Sequence, residues 1–108
     1  MKLKFATGHV SVRVELAEMQ QLVTDGNLSE TIELAGGAMT VVVSLVDEDI
    51  ANMLFDPNTA TIGFVYPRPA VEAELAKPSR NGIGGYFEQG VFSLAIDMHD
   101  IRQQAADK

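Results

Sequence analysis

The chain has 108 residues, 46% of them hydrophobic, no cysteine and a formal net charge of −7. This size fits one domain, residues 1–108, and the absence of cysteine excludes a disulfide framework. Eight basic residues against fifteen acidic ones argue against a nucleic-acid partner, because binding to that backbone depends on neutralising phosphates. No apolar run reaches the ~20 residues of a membrane-spanning helix, and the N-terminus lacks a signal peptide, so we expect a cytoplasmic protein with no membrane partner.

The first 26 residues predict a β-hairpin that leads into a short helix. Residues 2–6 and 10–14 alternate between polar and apolar side chains, as in strands with one buried face. The side chains expected to face the core are Leu3, Phe5, Val10, Val12 and Val14. Helical spacing follows over residues 16–23, and Gly26 suits the left-handed position that ends a helix. Glu15 is a poor N-cap, because Ser, Thr, Asp and Asn are preferred there.

A second pair of strands is predicted at 28–34 and 39–46, separated by the turn signal Gly36-Gly37. The first of these strands alternates, but Glu30 interrupts its apolar positions. The second is rich in β-branched residues, which favour strands. Asp47-Glu48-Asp49 then breaks the run and is the expected junction between two halves of the chain.

The second half predicts the same order of elements. Residues 50–55 are ambiguous by periodicity alone, but the turn residues Asp56-Pro57-Asn58-Thr59 and the alternation of 61–66 favour a hairpin. The elements that follow are a helix between Pro67 and Pro78, strands at 82–87 and 91–97, and a polar tail after Asp100.

The order of elements is therefore β-β-α-β-β, repeated once. We predict an α+β fold, with an antiparallel sheet of six to eight strands and two main helices, built from duplicated ββαββ halves. Only the element order supports the duplication, because residue identity between the halves is poor. A coincidental meander with two helices is the alternative.

Four short segments of the first half form a recognisable pattern: a basic alternating strand, a Ser-x-Arg strand, a Glu-containing helix ended by Gly, and an acidic strand. They are Lys2-Leu3-Lys4, Ser11-Val12-Arg13-Val14, Glu18-Met19-Gln20-Gln21-Leu22 and Ser29-Glu30-Thr31-Ile32-Glu33. The pattern resembles a family of small, uncharacterised, mostly bacterial domains of unknown function. The chain departs from it at Glu15, where Thr or Ser is usual, and over 97–102. The resemblance implies the fold and a single domain, and it adds no catalytic residue.

The polar residues include one group with the chemistry of a metal site. Asp97 and Asp100 supply carboxylates and His99 an imidazole, which suit several divalent ions. Such a site needs three or more converging ligands, and His9 is the only other histidine, so a solvated strand end is preferred and no metal is predicted. We keep a candidate polar site of His9, Arg13, Asp97, His99 and Asp100. The sequence has no nucleophile elbow, phosphate loop or EF-hand spacing, and we predict no cofactor and no catalytic residue.

One predicted sheet face carries small, uncharged and often β-branched side chains. A solvated face usually holds more lysine and glutamate, whereas a small neutral face suits packing against another sheet or chain. The candidate interaction face consists of Thr31, Thr40, Val42, Ser44, Thr61, Val65 and Ser93. A moderately polar, wet face is the alternative.

These observations favour a small cytoplasmic, non-enzymatic domain that acts through protein contacts or self-association, for example as a homodimer. The alternative function is a small-molecule-binding domain or minor enzyme with a pocket between sheet and helices. That alternative predicts that polar groups such as His9, Arg13 and His99 converge in a cleft.

Overall fold

The computed structural model of the protein describes residues 1–97, which form eight strands and two helices. The strands are β1 Lys2–Ala6, β2 His9–Val14, β3 Asn27–Leu34, β4 Gly37–Val46, β5 Asn52–Asp56, β6 Thr61–Pro67, β7 Ile83–Phe87 and β8 Gly90–Ile96, and the helices are α1 Leu16–Asp25 and α2 Arg68–Ala76. The predicted α+β class, strand number and two helices are confirmed. Neither helix in this part of the chain is long and apolar enough to span a membrane.

The strands form two four-stranded sheets, where one antiparallel sheet was predicted. Sheet A has the order β1-β2-β8-β7, and sheet B has the order β3-β4-β6-β5. The four hairpins are antiparallel, but the central pairs β2–β8 and β4–β6 are parallel, so both sheets are mixed. Side-chain alternation predicts each hairpin, because its strands are neighbours in sequence. Alternation does not indicate which hairpins lie side by side in a sheet. The way the hairpins pair is what makes the central strands of each sheet parallel.

The two ββαββ halves interlock by exchanging hairpins. Sheet A combines the first hairpin of the first half with the second hairpin of the second half, and sheet B combines the other two. Asp47-Glu48-Asp49, the expected junction, lies in the connection between β4 and β5. Buried positions repeat with the same spacing along β2–α1 and β6–α2, as Val12, Val14, Met19 and Leu22 in one half and Phe64, Tyr66, Val71 and Glu74 in the other. An approximate twofold therefore relates sheet A to sheet B.

A single cluster of buried side chains fills the space between the two sheets and beneath both helices. Phe92 of sheet A lies at its centre, with its ring centroid 5.9 Å from that of Phe64 and 5.8 Å from that of Tyr66, both of sheet B. Helix α1 contributes Met19 and Leu22 to the same cluster. The two sheets thus share one apolar core rather than each burying a face separately.

Both ends of α1 are satisfied by local hydrogen bonds. Gly26 has φ 82°, as predicted for a left-handed C-cap, and its N–H donates to the Leu22 carbonyl at 2.8 Å. At the other end, the Glu15 N–H donates to the Glu18 carboxylate at 2.9 Å. Glu18 therefore provides half of a capping box, which offsets the poor N-cap residue.

Helix α2 is followed by a loop that a buried carboxylate holds in place. Glu74 accepts hydrogen bonds from the Ser79 N–H at 2.7 Å and from the Ser79 hydroxyl at 2.9 Å. The Gly82 N–H in turn donates to the Ser79 hydroxyl oxygen at 3.1 Å. Glu74 therefore links the end of α2 to the start of β7, which accounts for a charged side chain at a buried position.

Candidate functional site

An apolar cleft opens between the two sheets at the end of the molecule away from the helices. It has a volume of about 960 Å³. Its walls come from the inward-facing positions of β1 and β3, which are edge strands of different sheets, and from β4, β5 and β6. The side chains that define this apolar cleft are Leu3, Phe5, Ile32, Leu34, Phe55 and Ile62.

Three large side chains at the rim of the apolar cleft are exposed to solvent. Phe5 is 50% exposed, and Leu34 and Phe55 are each 58% exposed. Phe5 was predicted to face the core, where Val12 and Val14 do lie buried. Phe5 lies on the predicted inward side of β1, but the two sheets do not cover its side chain. A concave apolar surface with exposed aromatic rims is typical of a binding site.

The charged side chain that interrupts β3 lies in the apolar cleft. Glu30 has the inward parity of its strand and lines the cleft beside Ile32. Its carboxylate is 3.9 Å from the Met1 amine, which also donates to the Glu18 carboxylate at 3.0 Å. In the sequence, Glu30 breaks the alternation of apolar residues along β3. That break was the signal that this inward-facing position lies outside the buried core.

The gap related to the apolar cleft by the approximate twofold is closed. There β5 and β7 contact each other across the two sheets. The strand registers make Gly85 and Phe92 the counterparts of Glu30 and Val41. The Phe92 ring lies directly against Gly85, where a Cβ atom would overlap it. The Phe92 ring above Gly85 fills the closed gap. Val41 and Glu30, at the equivalent positions, do not fill the apolar cleft.

The predicted interaction face divides between the two sheets. All of its members except Ser93 lie on the outer face of sheet B, where Thr31, Thr40 and Thr61 stand side by side on adjacent strands. Leu54, 69% exposed, adds a large apolar side chain to the same face. Ser93 lies on β8 of sheet A. The neutral face is therefore continuous on sheet B, and Thr31 at its edge also lines the apolar cleft.

A second, polar groove of about 540 Å³ lies on the outer face of sheet A. We call it the polar groove and define it by Lys4, His9, Ser11, Arg13, Tyr86 and Ser93. His9 and Arg13, two residues of the candidate polar site, both line this groove from β2. The polar groove lies over a sheet face, whereas the alternative function predicted a pocket between sheet and helices.

The remaining members of the candidate polar site are placed differently. Asp97 follows the end of β8, where its carboxylate accepts a hydrogen bond from the Lys2 ammonium at 3.1 Å. His99 and Asp100 lie outside the described residues. Within residues 1–97, no group of three or more histidine, aspartate or glutamate side chains has a metal-binding arrangement.

One titratable group lies inside the core rather than in either concave surface. The Tyr66 hydroxyl is buried and has no hydrogen-bond partner among the residues that the structure describes. Burial raises the pKa of Tyr66 above its usual range, because the charged phenolate would lose its hydration. Its position between the sheets, against the Phe92 ring, gives no access to a substrate.

Comparison with known proteins adds no further assignment. No protein family, curated protein or solved structure matches this chain. The resemblance to small uncharacterised domains therefore stays a prediction, and function has to be argued from the two concave surfaces.

Proposed function

We propose that this chain is a non-enzymatic cytoplasmic domain that self-associates, with the apolar cleft as the contact surface between two copies. The observation that carries the proposal is the exposure of Phe5, Leu34 and Phe55 around an apolar concave surface. Exposed apolar surface of this kind is favourable to remove from water. In a twofold dimer each copy supplies the same surface, so the rim side chains of one copy enter the cleft of the other.

The edge strands at the apolar cleft supply a second source of contact. Strands β1 and β3 are the outermost strands of their sheets on this side, so each has one row of main-chain groups without a strand partner in its sheet. Free edges pair readily with other chains. Pairing there gives directional hydrogen bonds in addition to the burial of the rim.

The expected affinity follows from the size of the opposing terms. Each half-exposed rim side chain contributes roughly 1 kcal/mol when it becomes buried. The three rim residues of each copy therefore contribute about 6 kcal/mol to a dimer, against an association cost of about 4–15 kcal/mol. The rim alone therefore supports at most a weak dimer, and we expect that association at about 100 µM also requires the edge-strand hydrogen bonds.

The oligomeric mass of rim variants tests this proposal. Leu34→Asp and Phe5→Asp place charges at exposed positions, so both should fold and both should remain monomeric at about 100 µM by sedimentation equilibrium. Leu54→Asp is the matched control, because this leucine is also more than half exposed but lies on the outer face of sheet B. A wild-type protein that is monomeric at the same concentration would sink the proposal.

The neutral face of sheet B is the competing interface for the same dimer. Val42→Lys places a charge at the middle of that face, away from the rim of the apolar cleft. We expect it to leave the dimer intact. Dissociation by Val42→Lys but not by Leu34→Asp would move the contact surface to sheet B and contradict the role of the cleft.

The volume and apolar lining of the cleft favour a second candidate function, the binding of a small apolar molecule. Ligand pockets commonly measure about 300–1,000 Å³ and are mostly apolar with a few polar groups, a description that suits the apolar cleft with Glu30 at its wall. Native mass spectrometry of the purified protein separates the two functions. A doubled mass without addition supports the dimer, and a monomer with a constant added mass supports the ligand.

A further inference from the structure

The polar groove has a floor of small hydroxyl-bearing side chains. Lys4 is paired with Ser11, Ser11 with Ser93 and Ser93 with Gly84, so these four residues form one row across all four strands of sheet A. Side chains directly opposite one another on paired strands have Cβ atoms about 5 Å apart. The two serine hydroxyls therefore lie side by side at the centre of the face, with a lysine at one end of the row and open space above the glycine at the other.

Basic side chains line this floor without partners among the described residues. Lys4, His9 and Arg13 form no ion pair or side-chain hydrogen bond with any residue from 1 to 97. Lys2, on the same face, is held by Asp97. Lys4 and Arg13 therefore place two cations, neither paired with a described residue, on one concave surface of a chain whose net charge is −7. Scattered surface lysines would instead be solvated separately.

Gly84 keeps the far end of the polar groove open, although packing does not require a glycine there. A Cβ atom at this position would meet only the Phe92 carbonyl oxygen, at an ordinary contact distance of 3.7 Å, and the backbone does not have a positive φ. The neighbouring Gly85 differs, since the Phe92 ring occupies its side-chain space. Glycine in a strand often marks the close approach of another group, and Gly84 leaves this end of the polar groove open for one.

We propose that the polar groove binds a small organic phosphate. The phosphoryl group lies over the Ser11 and Ser93 hydroxyls, between the Lys4 ammonium and the Arg13 guanidinium. The organic part extends over Gly84 towards the ring of Tyr86, which is 82% exposed at the edge of the groove. A phosphate fits this set better than a carboxylate, because its three acceptor oxygens can engage two cations and two hydroxyls together.

Direct titration with simple anions tests the proposal. Phenyl phosphate, inorganic phosphate and benzoate are each added to the isotope-labelled protein, and amide chemical shifts are followed by NMR. We expect saturable binding in the order phenyl phosphate, inorganic phosphate, benzoate, with shifts centred on β2 and β8. No saturable binding of phenyl phosphate up to about 10 mM would overturn the site. Equal affinity for phenyl phosphate and inorganic phosphate would overturn the role of Tyr86 and Gly84.

Two pairs of variants locate the site. Arg13→Gln should weaken phenyl phosphate binding by about tenfold or more, because it removes charge-assisted hydrogen bonds. Lys77→Gln removes the same charge at an exposed position after α2 and should leave binding unchanged. Equal weakening by both would show that only net charge matters and would contradict a built groove.

Gly84→Val fills the far end of the groove and should lower the affinity for phenyl phosphate to that of inorganic phosphate or below, while the protein stays folded. Gly63→Val is its matched control, because Gly63 lies on the outer face of sheet B with no atom within 4 Å of a Cβ atom. Retained affinity in Gly84→Val would overturn the placement of the organic group. The site does not depend on self-association, so a monomeric protein that binds phenyl phosphate keeps this inference and loses only the proposed dimer.

Discussion

The two gaps between the sheets occupy equivalent places in the two halves, yet one is closed and the other is open. On the closed side β5 lies against β7, and the Phe92 ring covers Gly85. On the open side β1 and β3 flank the apolar cleft, with Val41 and Glu30 at the corresponding positions. The strand order is the same on both sides, so the architecture alone does not decide whether a gap is filled.

The contrast shows how a nearly symmetric framework obtains one concave apolar surface instead of two. A large ring over a residue without a side chain fills the space between the sheets at native density. A smaller valine beside a carboxylate cannot fill it, and the carboxylate favours contact with water. The two sides therefore differ at this pair of positions on paired strands, with Gly85 and Phe92 on the closed side and Glu30 and Val41 on the open side.

Removal of the ring that closes one gap should give the largest effect. Phe92→Ala deletes a fully buried side chain that packs on Phe64 and Tyr66, and should lower the free energy of unfolding by about 3–5 kcal/mol. Phe5→Ala, in the open cleft, should lower it by less than about 1.5 kcal/mol, because the ring is half exposed already. Urea denaturation of both variants gives the comparison, and similar losses would show that the two gaps are not different.

Insertion of a methyl group beneath the same ring tests the closed side from the opposite direction. Gly85→Ala should destabilise the fold by about 1–3 kcal/mol, because its Cβ atom overlaps the Phe92 ring. Gly84→Ala places the same group on the other face of β7, at an ordinary contact distance. Thermal unfolding of this pair should separate them clearly, and an equally harmless Gly85→Ala would mean that Phe92 does not fill the gap.

The helices carry a second difference between the halves. Glu74 occupies the position of Leu22, and it holds Ser79 instead of adding to the apolar core. Glu74→Ala should lower the free energy of unfolding by about 1–2 kcal/mol, since the Ser79 N–H and hydroxyl lose their acceptor. Glu72→Ala, exposed on the same helix, is the control and should change stability little. Equal effects in denaturant would contradict a structural role for Glu74.

The smallest expected effect is a gain of stability from the buried phenol. Tyr66→Phe removes a hydroxyl that has no partner among the described residues and should stabilise the fold by about 1 kcal/mol. Burial raises the pKa of Tyr66, so the unfolded chain loses its proton first as pH rises. The contribution of the Tyr66 phenol to the free energy of unfolding is therefore constant below pH ~10 and falls above it. In Tyr66→Phe the free energy of unfolding should fall less steeply above this pH. Unfolding midpoints measured on both sides of pH 10 check this, and a destabilised variant would indicate a hydrogen bond to the phenol.

Much of the fold was predictable from local patterns, and the reasons are specific. Alternation placed Val12 and Val14 in the core, and Gly26 ended α1 as its position required. The parallel pairing of β2 with β8 joins residues far apart in sequence, so no local pattern encodes it. One local feature of the sequence indicated the apolar cleft, namely the charged residue Glu30 on an otherwise apolar strand face.

The polar groove could be predicted only in part. Lys4, Ser11 and Arg13 follow from the alternation of a single hairpin, which places them on one wet face. Ser93, Gly84 and Tyr86 join them only because β8 and β7 extend the same sheet. Ser93 lies on a different sheet from the other residues of the predicted interaction face for the same reason, since the division into two sheets is a long-range property.

Hydrogen exchange of the backbone amides, measured at high and at low protein concentration, tests the central claim most directly. If two copies associate through the apolar cleft, protection of β1 and β3 rises with concentration, and protection of β7, which does not line the cleft, stays unchanged. Equal protection of β1 and β3 at both concentrations, with a monomeric mass throughout, would contradict the account.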